Sequence, residues 1–260
     1  MTHLEQGFSG RVYIVTGGAS GIGHAVVVAL LNLSTIVHVI DIHESLEPPI
    51  VFKPGKLHFY PGIDVSNREG ISRTFRLIRE KSPHIHGLVN CAGIGQLSSD
   101  IVESDDCFNR VMAVNAGGTW NVGTEYLQYI LDKFSGDISV NGGIGSVVNI
   151  GSSASVQGFS RLASYCASKH AVLGLTRAWA KDFAARGVRI NCIAPGFTDT
   201  SLARAYSNDC SSVLQARDDA QIPMRRWAAA DEIANVVIFL LSDISSYVTG
   251  QVLPVNGGWH

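Results

Sequence analysis

The chain has 260 residues, 46% of them hydrophobic and 16% charged, with a formal net charge of −2. That length suits one large α/β domain with a substantial core, and the near-neutral charge excludes a basic face for nucleic acid. Its apolar runs, such as Val236-Val-Ile-Phe-Leu-Leu241, fall short of the roughly 20 residues that cross a bilayer, and the start Met1-Thr-His-Leu-Glu has no signal-peptide pattern, so a cytoplasmic protein is expected.

The first apolar run, Val12–Val15, predicts a buried strand that feeds the turn Gly17-Gly-Ala-Ser-Gly-Ile-Gly23 and a helix over Gly21–Leu33. Glycines between a strand and a helix permit a tight turn and let N–H groups at the helix start approach a pyrophosphate. The second strand, Ile36–Ile40, runs into Asp41, eighteen residues after the last glycine. A carboxylate there accepts hydrogen bonds from the adenosine ribose hydroxyls and repels a 2′-phosphate, which predicts NAD(H) over NADP(H).

Ser45–Gly55 carries three prolines where a crossover helix belongs, so a loop or stunted helix is expected before the third strand, Leu57–Tyr60. A helix over Arg68–Lys81, a strand over Gly87–Asn90 and a long helix over Asp105–Lys133 follow. Ser135–Gly145 is turn chemistry with no helix start after it, so its glycines are a plain connection rather than a phosphate loop. The strand Ser146–Ile150, the helix Ala163–Arg186, the strand Val188–Ile193, the helix Asp231–Leu241 and the strand Val252–Val255 complete the pattern. Seven apolar strands alternating with helices predict one doubly wound α/β domain over residues 1–260, with ligands bound beyond the carboxyl ends of the strands.

Tyr165 and Lys169 are four residues apart within a predicted helix, so phenol and ammonium share one face. A tyrosine hydroxyl loses its proton near pH 10 in water, so it serves as a base near neutrality only beside a positive charge, which Lys169 supplies. The five cysteines, Cys91, Cys107, Cys166, Cys192 and Cys210, are odd in number, lack Cys-x-x-Cys spacing and mostly lie in apolar segments. They read as free thiols in a reducing compartment. Cys166 adjoins the tyrosine but points about 100° away from it on a helix, which argues against a nucleophile.

Taken in order, Thr16-Gly-Gly-Ala-Ser-Gly-Ile-Gly23, Asp64-Val65, Asn90-Cys-Ala-Gly93, Asn115, Ser152, Tyr165/Lys169 and Pro195-Gly196 resemble the motifs of the short-chain dehydrogenase/reductase family across essentially the whole chain. The resemblance implies a single Rossmann-type sheet and reversible hydride transfer between NAD(H) and a secondary alcohol or its ketone. It assigns Tyr165 as general acid and base, Lys169 as its cationic partner and nicotinamide-ribose ligand, Ser152 as hydrogen-bond donor to the substrate oxygen, and Asn115 as a helix-kinking residue that completes a proton relay. Ser152 is preferred to Ser153 because it stands thirteen residues before the tyrosine.

On the same resemblance the cofactor is held by Gly17, Ser20, Gly21, Ile22 and Gly23 at the glycine turn, and by Asp41, Asp64 and Val65 around the adenosine. Asn90 packs beneath the adenosine ribose, Ala92 and Gly93 of the same motif also meet the cofactor, Tyr165 and Lys169 lie beside the nicotinamide ribose, and Pro195, Gly196, Phe197, Thr198 and Thr200 at the carboxamide. Cys91 departs from the commoner second asparagine of that motif, at a position that mainly packs.

Gly95, Gln96, Ser152, Gln157, Phe159, Leu202 and Tyr206 are expected at a substrate pocket under a lid around residues 198–222. Its residues suggest a neutral, moderately apolar substrate, with Arg161 and Arg204 keeping an acidic one open. No metal is expected. The Tyr-x-x-x-Lys spacing disfavours enoyl reductases of the family, which usually have a wider spacing, and the intact residue set disfavours an NADH sensor without turnover. Helices longer than one sheet face needs imply a homotetramer, with the tail Gln251–His260 reaching a neighbouring subunit's pocket.

Overall fold

The structure is a computed structural model that describes residues 7–50, 54–95, 100–134, 143–207 and 221–259, without the side chains of 205–207. Its first strand, β1 (Val12–Thr16), is buried along its whole length. Val12 and Ile14 enter one core while Tyr13 and Val15 enter another, the alternation of a strand covered on both faces. β2 (Ile36–Ile40), β3 (Lys56–Tyr60), β4 (Gly87–Asn90), β5 (Gly145–Ile150), β6 (Val188–Pro195) and β7 (Val252–Val255) complete a parallel sheet ordered β3-β2-β1-β4-β5-β6-β7. All seven strands lie within two residues of their expected ends.

The helices are α1 (Gly21–Asn32), α2 (Arg68–Lys81), α3 (Asp105–Met112), α4 (Gly118–Lys133), α5 (Ala163–Phe183), α6 (Ser201–Ser207) and α7 (Ala230–Leu241). Val26, Val27, Leu30 and Leu31 of α1 pack with Ile233, Val237 and Leu241 of α7 on the face of Tyr13. Ile71, Phe75 and Ile78 of α2, Val122 and Tyr126 of α4 and Trp179 of α5 cover the opposite face. Because the chain moves outward from β1 to β3 and then returns to β4 on the other side of β1, the sheet order reverses between β1 and β4. The carboxyl ends of these two strands therefore open a crevice.

Three expectations change. The helix expected over Asp105–Lys133 is not continuous: a π-helical turn, Ala113–Gly117, separates α3 from α4 and is centred on Asn115. The helix expected to Arg186 ends at Phe183, and its last three residues tighten into a 3₁₀ turn. The expected lid begins as a short helix, α6, and its residues 208–220 lie outside the described residues. The proline-rich stretch has no helix among its described residues, and most of the connection Ser135–Gly145 falls outside them. No helix among the described residues is long and apolar enough to cross a membrane.

One polar network crosses the α2-side core. His38 of β2 is fully buried, with Nδ1 3.0 Å from the Tyr60 hydroxyl and Nε2 2.9 Å from Ser82 Oγ, and its ring stacks on His58 at 4.7 Å. Burial, aided by His58, Lys81 and Lys56, pushes its pKa down to about 4. An unfolded chain takes up this proton near pH 6.5, whereas the folded protein refuses it until about pH 4, so stability is complete above pH 6.5 and falls through the window between. From pH 7 to pH 5 urea denaturation should register a loss of about 2 kcal/mol from this residue, and His38→Gln should abolish that part of the loss.

Candidate active site

The strand β1 ends at Thr16, whose hydroxyl oxygen accepts the N–H groups of Cys91 at 3.1 Å and Ala92 at 3.2 Å and so ties the glycine turn to the exit of β4. The turn itself admits little but glycine: a Cβ on Gly23 would collide with the Gly17 carbonyl oxygen, and Gly21 has φ +54°. At the start of α1 the N-cap Ser20 makes no side-chain cap and the first turn holds no acidic residue. The N–H groups of Gly21, Ile22 and Gly23 precede the first intrahelical bond, from His24 N to Ser20 O. Uncapped donors on the positive end of a helix suit the phosphates of a dinucleotide.

These residues line a cavity of about 670 Å³ that runs from Asp41 and Asp64 to Tyr165 and Trp259. Asp41 is 5% exposed; its Oδ2 accepts Ala19 N at 2.8 Å, and its Oδ1 takes His43 N at 3.0 Å and pairs with His43 Nδ1 at 2.8 Å. Oδ2 retains acceptor capacity for a further hydroxyl. Asp64 places Oδ1 on the Ser66 backbone and side chain, both at 2.8 Å. The donor and acceptor set therefore fits an adenosine dinucleotide.

At the other end three elements bring the expected catalytic side chains to the same cavity. Ser152 follows β5 and N-caps a 3₁₀ turn: its Oγ accepts Ala154 N at 3.1 Å while Ser155 Oγ accepts Ser152 N at 3.1 Å. An acceptor bond leaves the Ser152 proton free for donation toward the cavity. Ser153 instead donates to Pro195 O at 3.1 Å and is buried, which separates the two neighbours structurally.

Tyr165 and Lys169 project from the first turns of α5, with Lys169 Nζ 5.7 Å from the centre of the Tyr165 ring and donating to Ile150 O at 2.9 Å. Lys169 is 5% exposed. Asn115 is fully buried and clamps the Ile94 backbone, accepting its N–H and donating to its carbonyl at 2.8 Å each, and it also donates to Ser168 Oγ at 2.9 Å. The π turn aims this amide at the segment that follows β4. Gly93 sits between them: a Cβ there would lie 3.2 Å from Asn115 Oδ1 and 3.4 Å from Lys169 Nζ.

Most expected cofactor residues line the cavity, namely those of the glycine turn, Asp41, Asp64, Val65, Ala92, Gly93, Tyr165, Lys169 and the segment from Pro195 to Thr198 with Thr200. Asn90 does not: its amide donates to Asn149 Oδ1 at 2.9 Å and joins β4 to β5. Of the expected substrate residues, Ser152, Phe159 and Leu202 line it, whereas Gly95 and Gln157 do not. Gln96 and the Tyr206 side chain lie outside the described residues. Arg161 is also absent from the lining, and Arg204, likewise absent, pairs with Asp199 at 2.6 Å and 2.9 Å.

Three residues went unnoticed in the sequence. Glu103 accepts the Ser164 N–H at 3.0 Å and the Ser164 hydroxyl, and so caps the uncapped first turn of α5 from a segment 61 residues away. Burial opposes the Glu103 charge, but the bonds from Ser164 outweigh it and hold the carboxyl below its usual range. Arg110 lines the cavity from α3. Trp259 lines it from the tail.

Burial pushes the Cys91 thiol up to about 12 against the pull of Lys169, and Cys192 up to about 11. Both are protonated and unreactive at neutral pH. Cys91, Cys107, Cys166 and Cys192 are free, Cys210 lies outside the described residues, and among the described residues no group of His, Cys, Asp or Glu is arranged to hold a metal.

Comparison with known proteins extends the pattern beyond motifs. Residues 17–260 match the family model described as enoyl-(acyl carrier protein) reductase. The chain is 33% identical over 253 residues to 3-oxoacyl-[acyl-carrier-protein] reductase FabG of Thermotoga maritima, covering 96% of this chain and 97% of that protein. Among solved structures it is similar to levodione reductase, with TM-score 0.87 and 28% identity over 96% of this chain and 98% of that one. It is also similar to a variant of ElxO with NADPH bound, with TM-score 0.85 and 26% identity over 96% and 98% of the two chains. With the sheet order, the glycine turn and the Ser152, Tyr165 and Lys169 cluster in place, these matches establish that the chain belongs to the short-chain dehydrogenase/reductase family.

Proposed function

We propose that the protein is an NAD(H)-dependent oxidoreductase that interconverts a secondary alcohol and its ketone, with Tyr165 as general acid and base. The observation that carries this reading is the convergence of Ser152, Tyr165 and the buried Lys169 on the cavity that also contains the glycine turn. A bound nicotinamide supplies or accepts the hydride.

In the oxidative direction Tyr165 takes the alcohol proton, and in the reductive direction it returns it. The Lys169 ammonium lies 5.7 Å from the centre of the Tyr165 ring and keeps two donors beyond its bond to Ile150 O for a ribose hydroxyl. Ser152 donates to the substrate oxygen as charge develops there. Asn115 acts as a positioning residue: by holding both backbone groups of Ile94 and bonding Ser168, it fixes the wall against which Lys169 stands, where it would support a proton relay.

Reduction of a carbonyl rather than an enoyl bond is favoured by the three-residue spacer between Tyr165 and Lys169, and the relatives named for carbonyl reduction, FabG and levodione reductase, support it. Preference for NAD(H) rests on Asp41, although ElxO has NADPH bound. Exposed Trp120 on α4, tilted against the buried Trp179 of α5, supports pairing of subunits through these helices into a tetramer, and the free thiols support a reducing compartment such as the cytoplasm. Helix α6 would form part of the lid.

The test is absorbance at 340 nm across secondary alcohols, diols, polyols, sugars and hydroxysteroids with NAD⁺ and NADP⁺ in parallel. Turnover on one class with NAD⁺ is expected. Silence across the panel together with tight NADH binding would replace this reading by an NADH-binding sensor.

A further inference from the structure

The substrate end of the cavity is unusually aromatic for its size, and the rings come from three separate parts of the chain. Phe159 belongs to the connection between Ser152 and Tyr165, Phe197 to the segment after β6, and Trp259 to the tail. Trp259 stacks on Phe159 with ring centres 5.5 Å apart and planes at 23°, and it meets Phe197 at 4.9 Å and 48°. Phe197 in turn stacks on Trp227 at 5.5 Å. Phe159, Phe197 and Trp259 all line the cavity and are all only partly buried, so each keeps apolar surface that a ligand can cover.

The tail is fixed rather than merely adjacent. Met224 N donates to Gly257 O at 3.1 Å, Gly258 N donates to Asn256 Oδ1 at 3.2 Å, and the Asn256 amide returns to the Trp259 carbonyl. Asn256 packs so closely on Gly196 that a Cβ on Gly196 would approach it to 2.8 Å. The wall is thus anchored to the Pro195–Phe197 segment that the dinucleotide reading assigns to the nicotinamide.

Charge is distributed the other way along the cavity. Asp41, His43 and Asp64 lie at the adenosine end, and Lys169 is committed to Ile150 O and the Tyr165 ring. Arg110 precedes Val114 by one turn on the helical stretch whose Gly118 abuts Val65, the neighbour of Asp64. Among the described residues, the wall of Phe159, Phe197 and Trp259 contributes no ionisable side chain.

From this arrangement we infer that Trp259 is a specificity-determining residue and that the substrates are uncharged ketones or alcohols with a planar or near-planar ring next to the reacting carbon. A flat ring covers the aromatic wall at little conformational cost, whereas an open chain of equal carbon count loses rotamer freedom for the same coverage. The inference rests on the oxidoreductase reading above and sharpens its substrate class.

The test compares acetophenone with 2-octanone, which have the same number of carbons, for the wild type, Trp259→Ala and Trp259→Phe. The wild type should prefer acetophenone in kcat/KM, Trp259→Ala should lower the ring-to-chain ratio about tenfold, and Trp259→Phe should restore most of it. An equal loss on both ketones, or an unchanged ratio, overturns the inference. Calorimetric binding of acetophenone to the NADH-loaded protein separates this from failure of the enzyme reading. If neither ketone turns over, acetophenone binding weakened about tenfold in Trp259→Ala keeps the wall and rejects the oxidoreductase. Binding that is absent, or indifferent to Trp259, rejects the wall.

Discussion

Replacing Tyr165 by Phe should lower kcat by about three orders of magnitude, the range of a lost general acid and base, while leaving the dissociation constant for NADH within about twofold. The substitution keeps the aromatic ring over Lys169 Nζ and removes only the hydroxyl, which makes no hydrogen bond among the described residues. The packing of α5 should therefore survive, because its first turn is held by Glu103 through Ser164 and not by the phenol. Ser152→Ala should cost about two orders of magnitude, the cost of one donor to a developing oxyanion. The double variant should fall little below Tyr165→Phe alone, since both groups address the same oxygen and act as a unit. Stopped-flow turnover with fluorescence titration of NADH separates these effects. A Tyr165→Phe enzyme that retains more than about a tenth of its turnover would reject Tyr165 as the proton-transfer group.

The parts of the molecule that rest on local chemistry were legible in the sequence. A parallel strand buried on both faces, such as β1, must be apolar on both, so it stands out as a continuous run, and the glycine turn is dictated by the steric limits at Gly21 and Gly23. Features built from distant segments were not. Glu103 and Ser164 are 61 residues apart, and neither residue alone signals a cap supplied across the fold.

The π turn at Asn115 changes the hydrogen-bond register without changing composition, so periodicity alone reads one long helix, and the kink is expected only from the family resemblance at Asn115. His38 sits in Ile36-Val-His-Val-Ile40, where one polar residue among β-branched neighbours gives no hint of Ser82 and Tyr60 closing around it. Asn90 is expected under the ribose from its motif alone, and its bond to Asn149, in register beside it on β5, could not be read from either residue. Trp259 read as a tail residue because the contacts that fold it back come from Met224 and Gly196.

The wild type should favour NAD over NADP by about two orders of magnitude in kcat/KM, and Asp41→Asn should reduce that preference at least about tenfold. At an effective dielectric of about 20, two unit charges 4 Å apart repel by about 4 kcal/mol, and a 2′-phosphate brings more than one charge to a ribose edge that already meets this carboxylate. Withdrawal of Asp41 from the ribose is hindered because it is buried and fixed by Ala19 N and His43. The neighbouring imidazole offsets the carboxylate only when protonated, and it is tied to the same Oδ1.

Asn is the informative replacement because its amide oxygen still accepts the Ala19 N–H and keeps the glycine turn in place, whereas Ala would remove charge and anchor together. Asp41→Asn should therefore melt close to the wild type while gaining NADP turnover, and Asp41→Ala should lose melting temperature as well. If Asp41→Asn leaves the coenzyme ratio untouched, the carboxylate serves the glycine turn alone and discrimination lies elsewhere along the cavity. If the wild type itself prefers NADP, the ribose must bind on the far side of the Asp41–His43 pair, and the assignment of Asp41 to the ribose hydroxyls fails with it.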